Sequence, residues 1–66
     1  MTLKEVKTNI AEIEKLIVET RESISSAPNS VEAMRAHMDL EHLEQTLSLF
    51  VVHRDYLERE ESKAPD

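Results

Sequence analysis

Cysteine, glycine and tryptophan are absent from this chain, which has one phenylalanine and one tyrosine. Without cysteine there is no disulfide and no thiolate metal site, and without glycine there is no glycine-rich phosphate-binding loop. No apolar run approaches the roughly 18 residues of a membrane span, and no charged-then-apolar leader stands at the start. We therefore expect a cytoplasmic protein with no membrane span.

An excess of acidic side chains gives the 66 residues a formal net charge of −6, with 8 basic residues among 14 acidic ones. Binding to phosphate is led by clustered Lys and Arg, and the basic residues here are scattered. We therefore do not expect a nucleic-acid partner. The acidity is concentrated in the second half of the chain, where "EREE" (Glu58 to Glu61) is its densest part.

The first 25 residues have the pattern of one amphipathic helix. "TLKE" is a capping box, in which the Thr2 side chain accepts from the amide of Glu5 and the carboxylate reaches back. Apolar residues then recur three and four apart, with Thr20 in the one polar slot, which is a heptad seam. This seam consists of Leu3, Val6, Ile10, Ile13, Ile17 and Ile24. The pattern predicts a helix over about residues 3–25.

A turn and a second helix follow. Pro28 in "SSAPNS" cannot continue the helical hydrogen bonding, and Asn29 with Glu32 provides a second cap. These signals predict a turn over 26–29, a helix over about 30–60 and a frayed acidic tail over 61–66. Arg54 occupies the one charged slot of the second seam. The seam itself consists of Ala33, Ala36, Leu40, Leu43, Leu47, Phe50 and Leu57.

The short connection forces the two helices to run antiparallel. The sequence therefore predicts an all-α fold, a coiled-coil-like antiparallel two-helix hairpin that forms a single domain over 1–66. A chain this short buries little apolar surface, so we expect a partner chain to complete it. A strand over "LSLFVV" would need a second strand, and the sequence offers none. The predicted hairpin core consists of Ile10, Ile13, Ile17, Ile24, Leu40, Leu43, Leu47 and Phe50.

The sequence shows no set of nucleophile, base or metal-binding residues at a spacing that suits catalysis. The three histidines are His37, His42 and His53. Asp39 and His42 have the three-residue spacing of helical metal ligands, but there is one such pair and no matching inward glutamate on the first helix. We therefore expect no enzyme, no catalytic residue, no metal site and no cofactor.

The stretch "LSLFVVH" contains more apolar surface than one seam uses. Leu49, Val52 and Tyr56 recur three and four apart beside the seam, which predicts a face that binds another helix. Val51, outside the seam on the other flank, and Met38 are weaker members of this predicted partner-binding set. An acidic rim is predicted around the face, made of Glu41, Asp55 and Glu58 to Glu61. The alternative is that these apolar side chains cover the open end of a monomeric hairpin.

The second helix resembles a known family. "HLEQTLSLFVV" is similar to the Leu-Glu-x-(Ala/Thr)-aliphatic-x-aliphatic-aliphatic core of the small type III secretion chaperones of the YscE type, and the likeness runs from about Ile10 to Val52. The matching positions are Ile13, Ile17, Ile24, Leu43, Glu44, Thr46, Leu47, Leu49 and Phe50.

The resemblance implies a helical hairpin that pairs in the bacterial cytoplasm with a helical-repeat co-chaperone. Together the two proteins would hold a needle subunit monomeric and soluble until export. The sequence leaves open a second hypothesis, a hairpin that associates with its own copy as a homodimeric four-helix bundle and serves as a regulatory or phage-type accessory protein. Both hypotheses describe an interaction protein.

Overall fold

The computed structural model describes residues 1–63, which form two α-helices joined by a short turn. Helix α1 spans Leu3–Ser25 and helix α2 spans Ser30–Lys63. The part of the chain that the structure describes has no strand, and the two helices pack against each other along their length. The predicted all-α hairpin is therefore confirmed. The segment "LSLFVV" is helical, so the strand alternative is wrong.

A capping box fixes the start of α1. The amide of Glu5 donates to the Thr2 hydroxyl oxygen at 3.2 Å, and the Thr2 amide donates to the Glu5 carboxylate at 3.3 Å. The Thr2 hydroxyl also donates to that carboxylate at 3.0 Å. This hydrogen bond, and after it the one from the Thr2 amide, lowers the pKa of Glu5 from its ordinary value.

The turn closes through local hydrogen bonds on both sides of Pro28. The Ser26 amide donates to the Glu22 carbonyl at 3.0 Å and so extends the hydrogen bonding of α1 past its last residue. The Asn29 side-chain oxygen accepts from the amide of Glu32 at 2.9 Å, which confirms the predicted cap of α2. Because the connection is only four residues long, α2 folds back directly along α1.

Helix α2 reaches Lys63, beyond the predicted end near residue 60, so residues 61–63 are helical rather than frayed. No glycine or proline interrupts the sequence between Pro28 and Pro65, and the basic Lys63 in the last turn favours the helix C-terminus electrostatically. The rest of the predicted tail, residues 64–66, lies outside the described residues.

Burial in the hairpin is unequal between the two helices. The buried side chains are Val6, Ile10, Ile13 and Ile17, all on α1. Helix α2 has no buried residue. The other predicted core residues are half-buried, namely Ile24, Leu40, Leu43, Leu47 and Phe50. The fully buried part of the hairpin is therefore supplied by α1.

Two ion pairs join the helices. Lys7 lies 3.7 Å from Glu58, and Arg21 lies 3.8 Å from Glu44. The two pairs are separated by fourteen residues on each helix, which is two heptads, so the helices keep one antiparallel register between them. The resulting rod measures 57 × 14 × 14 Å. Neither described helix has an apolar segment long enough to cross a membrane.

Candidate helix-binding surface

Heptad letters, with Leu3 and Ala33 each taken as position a, place every residue on a face of its helix. Positions a and d form the seam, and positions c and f of α2 point away from α1. We call the c and f positions of α2 the outer stripe. From the turn to the open end it consists of Val31, Arg35, Met38, His42, Gln45, Leu49, Val52, Tyr56, Arg59 and Lys63.

The three residues of the predicted partner face lie together on the outer stripe. The exposed fraction is 73% for Leu49, 66% for Val52 and 53% for Tyr56. Met38 belongs to the same stripe and is 65% exposed, at the other side of His42. Val31, which was not predicted, extends the exposed apolar surface to the first turn of α2. The c and f positions could have identified it from the sequence.

The outer stripe contains no acidic residue, although α2 contains eight. Its charged members are Arg35, Arg59 and Lys63, near its two ends. Acidic residues occupy the rows on either side instead. The b row on one side contains Glu41 and Asp55, and the g row on the other contains Glu32, Asp39 and Glu60. This face therefore has an apolar centre and no acidic residue of its own, while both neighbouring rows contain acidic residues.

The acidic rim differs in part from the prediction. Glu41, Asp55 and Glu60 border the outer stripe, but Glu58 is at position e and pairs with Lys7 of α1. Asp55 is also partly neutralised, since the Arg54 guanidinium lies 3.3 Å from its carboxylate. The predicted run from Glu58 to Glu61 is therefore not a continuous edge, because successive helical residues point in different directions.

Val51 does not share the face of the other predicted partner residues. It is half-buried at position e, the same row that carries both ion pairs between the helices. We call this side of the hairpin the e flank. Because Val51 is half-buried on this flank, it offers less open surface to a partner than Leu49 and Val52 do.

The histidines are not gathered into a site. His37 and His42 are exposed, and His53 is half-buried. Within residues 1–63, no three His, Cys, Asp or Glu side chains come together in a way that suits a metal ion. A shallow surface depression at the open end is lined by Leu3, Lys4, Lys7, Thr8, Ala11 and Glu61.

Comparison with known proteins finds no matching family model, no similar curated protein and no similar solved structure.

Proposed function

We propose that this protein is a non-enzymatic interaction module that binds a helical partner through the outer stripe of α2. The observation that carries the proposal is the exposure of Leu49, Val52 and Tyr56 at three- and four-residue spacing. That spacing is what a second helix needs for its own apolar side chains to interdigitate. Contiguous exposed apolar surface rimmed by polar residues is typical of interaction sites.

The specific role we propose is that of a small cytoplasmic chaperone. By analogy with the YscE-type proteins that its second helix resembles, it would stabilise a helical-repeat co-chaperone and help to keep a type III secretion needle subunit monomeric before export. The small core supports a role that depends on a partner. Four buried side chains stabilise the hairpin only modestly, and binding of a partner to the folded state would add to that stability.

The test is purification of the tagged protein from its source, followed by identification of the proteins that remain bound. We expect a helical-repeat protein and a needle subunit to co-purify with the wild type. The double variant Leu49→Glu with Val52→Lys should lose both, because it places charges at the centre of the apolar stripe. Helical content measured by circular dichroism should stay unchanged, since both side chains are exposed.

A matched control comes from the outer face of α1. Thr8→Glu with Ala11→Lys introduces the same charges at the same spacing on two exposed positions, and it should leave co-purification intact. Equal retention of partners by both double variants would contradict a binding role for the outer stripe. A stable dimer of the purified wild type that the stripe variant dissociates would instead support the homodimeric four-helix bundle.

A further inference from the structure

The two flanks of the hairpin differ. The e flank carries both ion pairs that join the helices of the described chain. The opposite side, which we call the g flank, consists of the g positions and the adjacent c positions of both helices. No ion pair within residues 1–63 crosses it. The groove between the helices is therefore not closed by charged side chains on the g flank.

The floor and walls of the g-flank groove are apolar or weakly polar. Leu16 of α1 is at position g and is 46% exposed. On α2, Thr46 and His53 occupy g positions and are half-buried. A depression at the open end is lined by Met1, Leu49, Phe50 and His53. The half-buried Phe50 is at position d, so the uncovered part of the α2 seam opens toward this groove.

Acidic side chains border the g-flank groove. On α1 the c positions are Glu5, Glu12 and Glu19, all exposed, and no Lys or Arg occupies a c or g position of that helix. On α2 the g row adds Glu32, Asp39 and Glu60. Among the c and g positions of α2, the basic residues Arg35 and Lys63 lie only at the two ends. The middle of the groove, between His42 and Tyr56, therefore has no Lys or Arg on its α2 side and the glutamates of α1 on the other.

We infer that the g-flank groove binds a partner helix that has an apolar stripe flanked by Lys and Arg. Such a helix would cover Leu16, Phe50 and the g-flank side of Leu49, and it would pair its cations with the glutamates of α1. The complex would be a three-helix arrangement in which the half-buried seam of α2 becomes fully covered. This inference rests on the proposed function, because it places the same partner helix over the edge of the outer stripe that borders the groove, where Leu49 lies.

Electrostatic repulsion disfavours a second copy of this chain in the same groove. Docking two g flanks against each other brings Glu12 and Glu19 of one copy against the acidic borders of the other. Like charges in direct opposition disfavour association, and the whole chain carries a net charge of −6. The acidic borders therefore select a basic helix over self-association.

The experiment titrates the full-length protein into two fluorescent synthetic peptides and follows anisotropy. Both peptides are three-heptad amphipathic helices with leucine at a and d, and one has lysine at e and g where the other has glutamate. We expect the lysine peptide to bind at least about tenfold more tightly, with affinity falling as salt rises. Amide chemical-shift changes should be centred on Leu16, Thr46 and His53.

Variants that remove the same number of charges distinguish binding by the groove glutamates from a general effect of the negative charge of the protein. Glu12→Gln with Glu19→Gln should weaken binding of the lysine peptide roughly fivefold, as expected for two exposed ion pairs. Glu14→Gln with Glu22→Gln removes the same charge outside the g flank and should have little effect. In the same way Leu16→Ser should weaken binding, whereas Val18→Ser, at an exposed b position, should not.

Equal weakening by the two glutamate pairs would overturn the inference, as would equal affinity for the two peptides. A different result contradicts the proposed function, namely co-purification of the partners with the double variant Leu49→Glu with Val52→Lys. If that variant loses its partners while Glu12→Gln with Glu19→Gln retains them, the outer stripe is the interaction site and the groove is not.

Discussion

The buried side chains of this small hairpin share one shape. The least exposed side chain is Val6, at 0%, followed by Ile10, Ile17 and Ile13. All four are β-branched, so their bulk lies close to the α1 backbone. Val6 belongs to the predicted seam but not to the predicted core, so the structure adds it to the buried set.

Ile17→Ala tests this core at the level of one residue. Ile17 is 7% exposed, so its truncation should lower the free energy of unfolding by about 2–4 kcal/mol. The adjacent Val18 is 54% exposed, and Val18→Ala should change the same quantity by less than about 0.5 kcal/mol. Urea unfolding of both variants measures the two values. Similar losses from both substitutions would mean that the seam is assigned to the wrong face.

The Glu5 carboxylate provides a second test at the residue scale. Its pKa is lowered in the folded state by the hydrogen bonds from Thr2, so its contribution to stability is present above the unfolded pKa and is lost as pH falls through the folded pKa. Thr2→Ala removes the hydroxyl, and we expect the pKa of Glu5 to return toward its ordinary value and the melting temperature to fall by several degrees. Carboxyl chemical shifts during an acid titration measure the change, and Thr8→Ala, which leaves the cap intact, is the control.

At the scale of the helix, the sequence predicted the elements better than it predicted their burial. The heptad pattern identifies which side of a helix faces its partner, and both caps were recognisable from Thr2 and Asn29. The pattern does not say how completely that side is covered. Leu40, Leu43 and Leu47 follow the same spacing as the isoleucines of α1, yet they are only half-buried.

The sequence pattern also does not show that ion pairs join the helices on the e flank and not on the g flank. The letters e and g can be assigned from the seam, but which e residues meet across the helices depends on the register of the hairpin. In the structure Lys7 pairs with Glu58 and Arg21 pairs with Glu44, and the seam letters alone do not select these partners. Only the packed helices reveal that ion pairs join the e flank and leave the g flank open.

At the scale of the whole molecule, the hairpin is a thin rod with nearly all of its residues in contact with solvent. Its 57 × 14 × 14 Å dimensions leave room for a single line of buried side chains between the helices. Small domains of this kind have a low free energy of unfolding. A helix added along the g flank or the outer stripe would therefore contribute both recognition and a substantial part of the apolar burial.

The charge of the whole molecule gives the last prediction, which concerns self-association. At pH 7 the acidic borders repel a second copy, so we expect a monomer in sedimentation velocity at low salt. As pH falls toward the isoelectric point near 4.9, the carboxylates gain protons and the repulsion weakens, so dimers should appear. Glu12→Gln with Glu19→Gln should shift their appearance to higher pH, whereas Leu49→Glu with Val52→Lys should suppress them. A stable wild-type dimer at pH 7 would contradict this prediction and favour the homodimeric bundle.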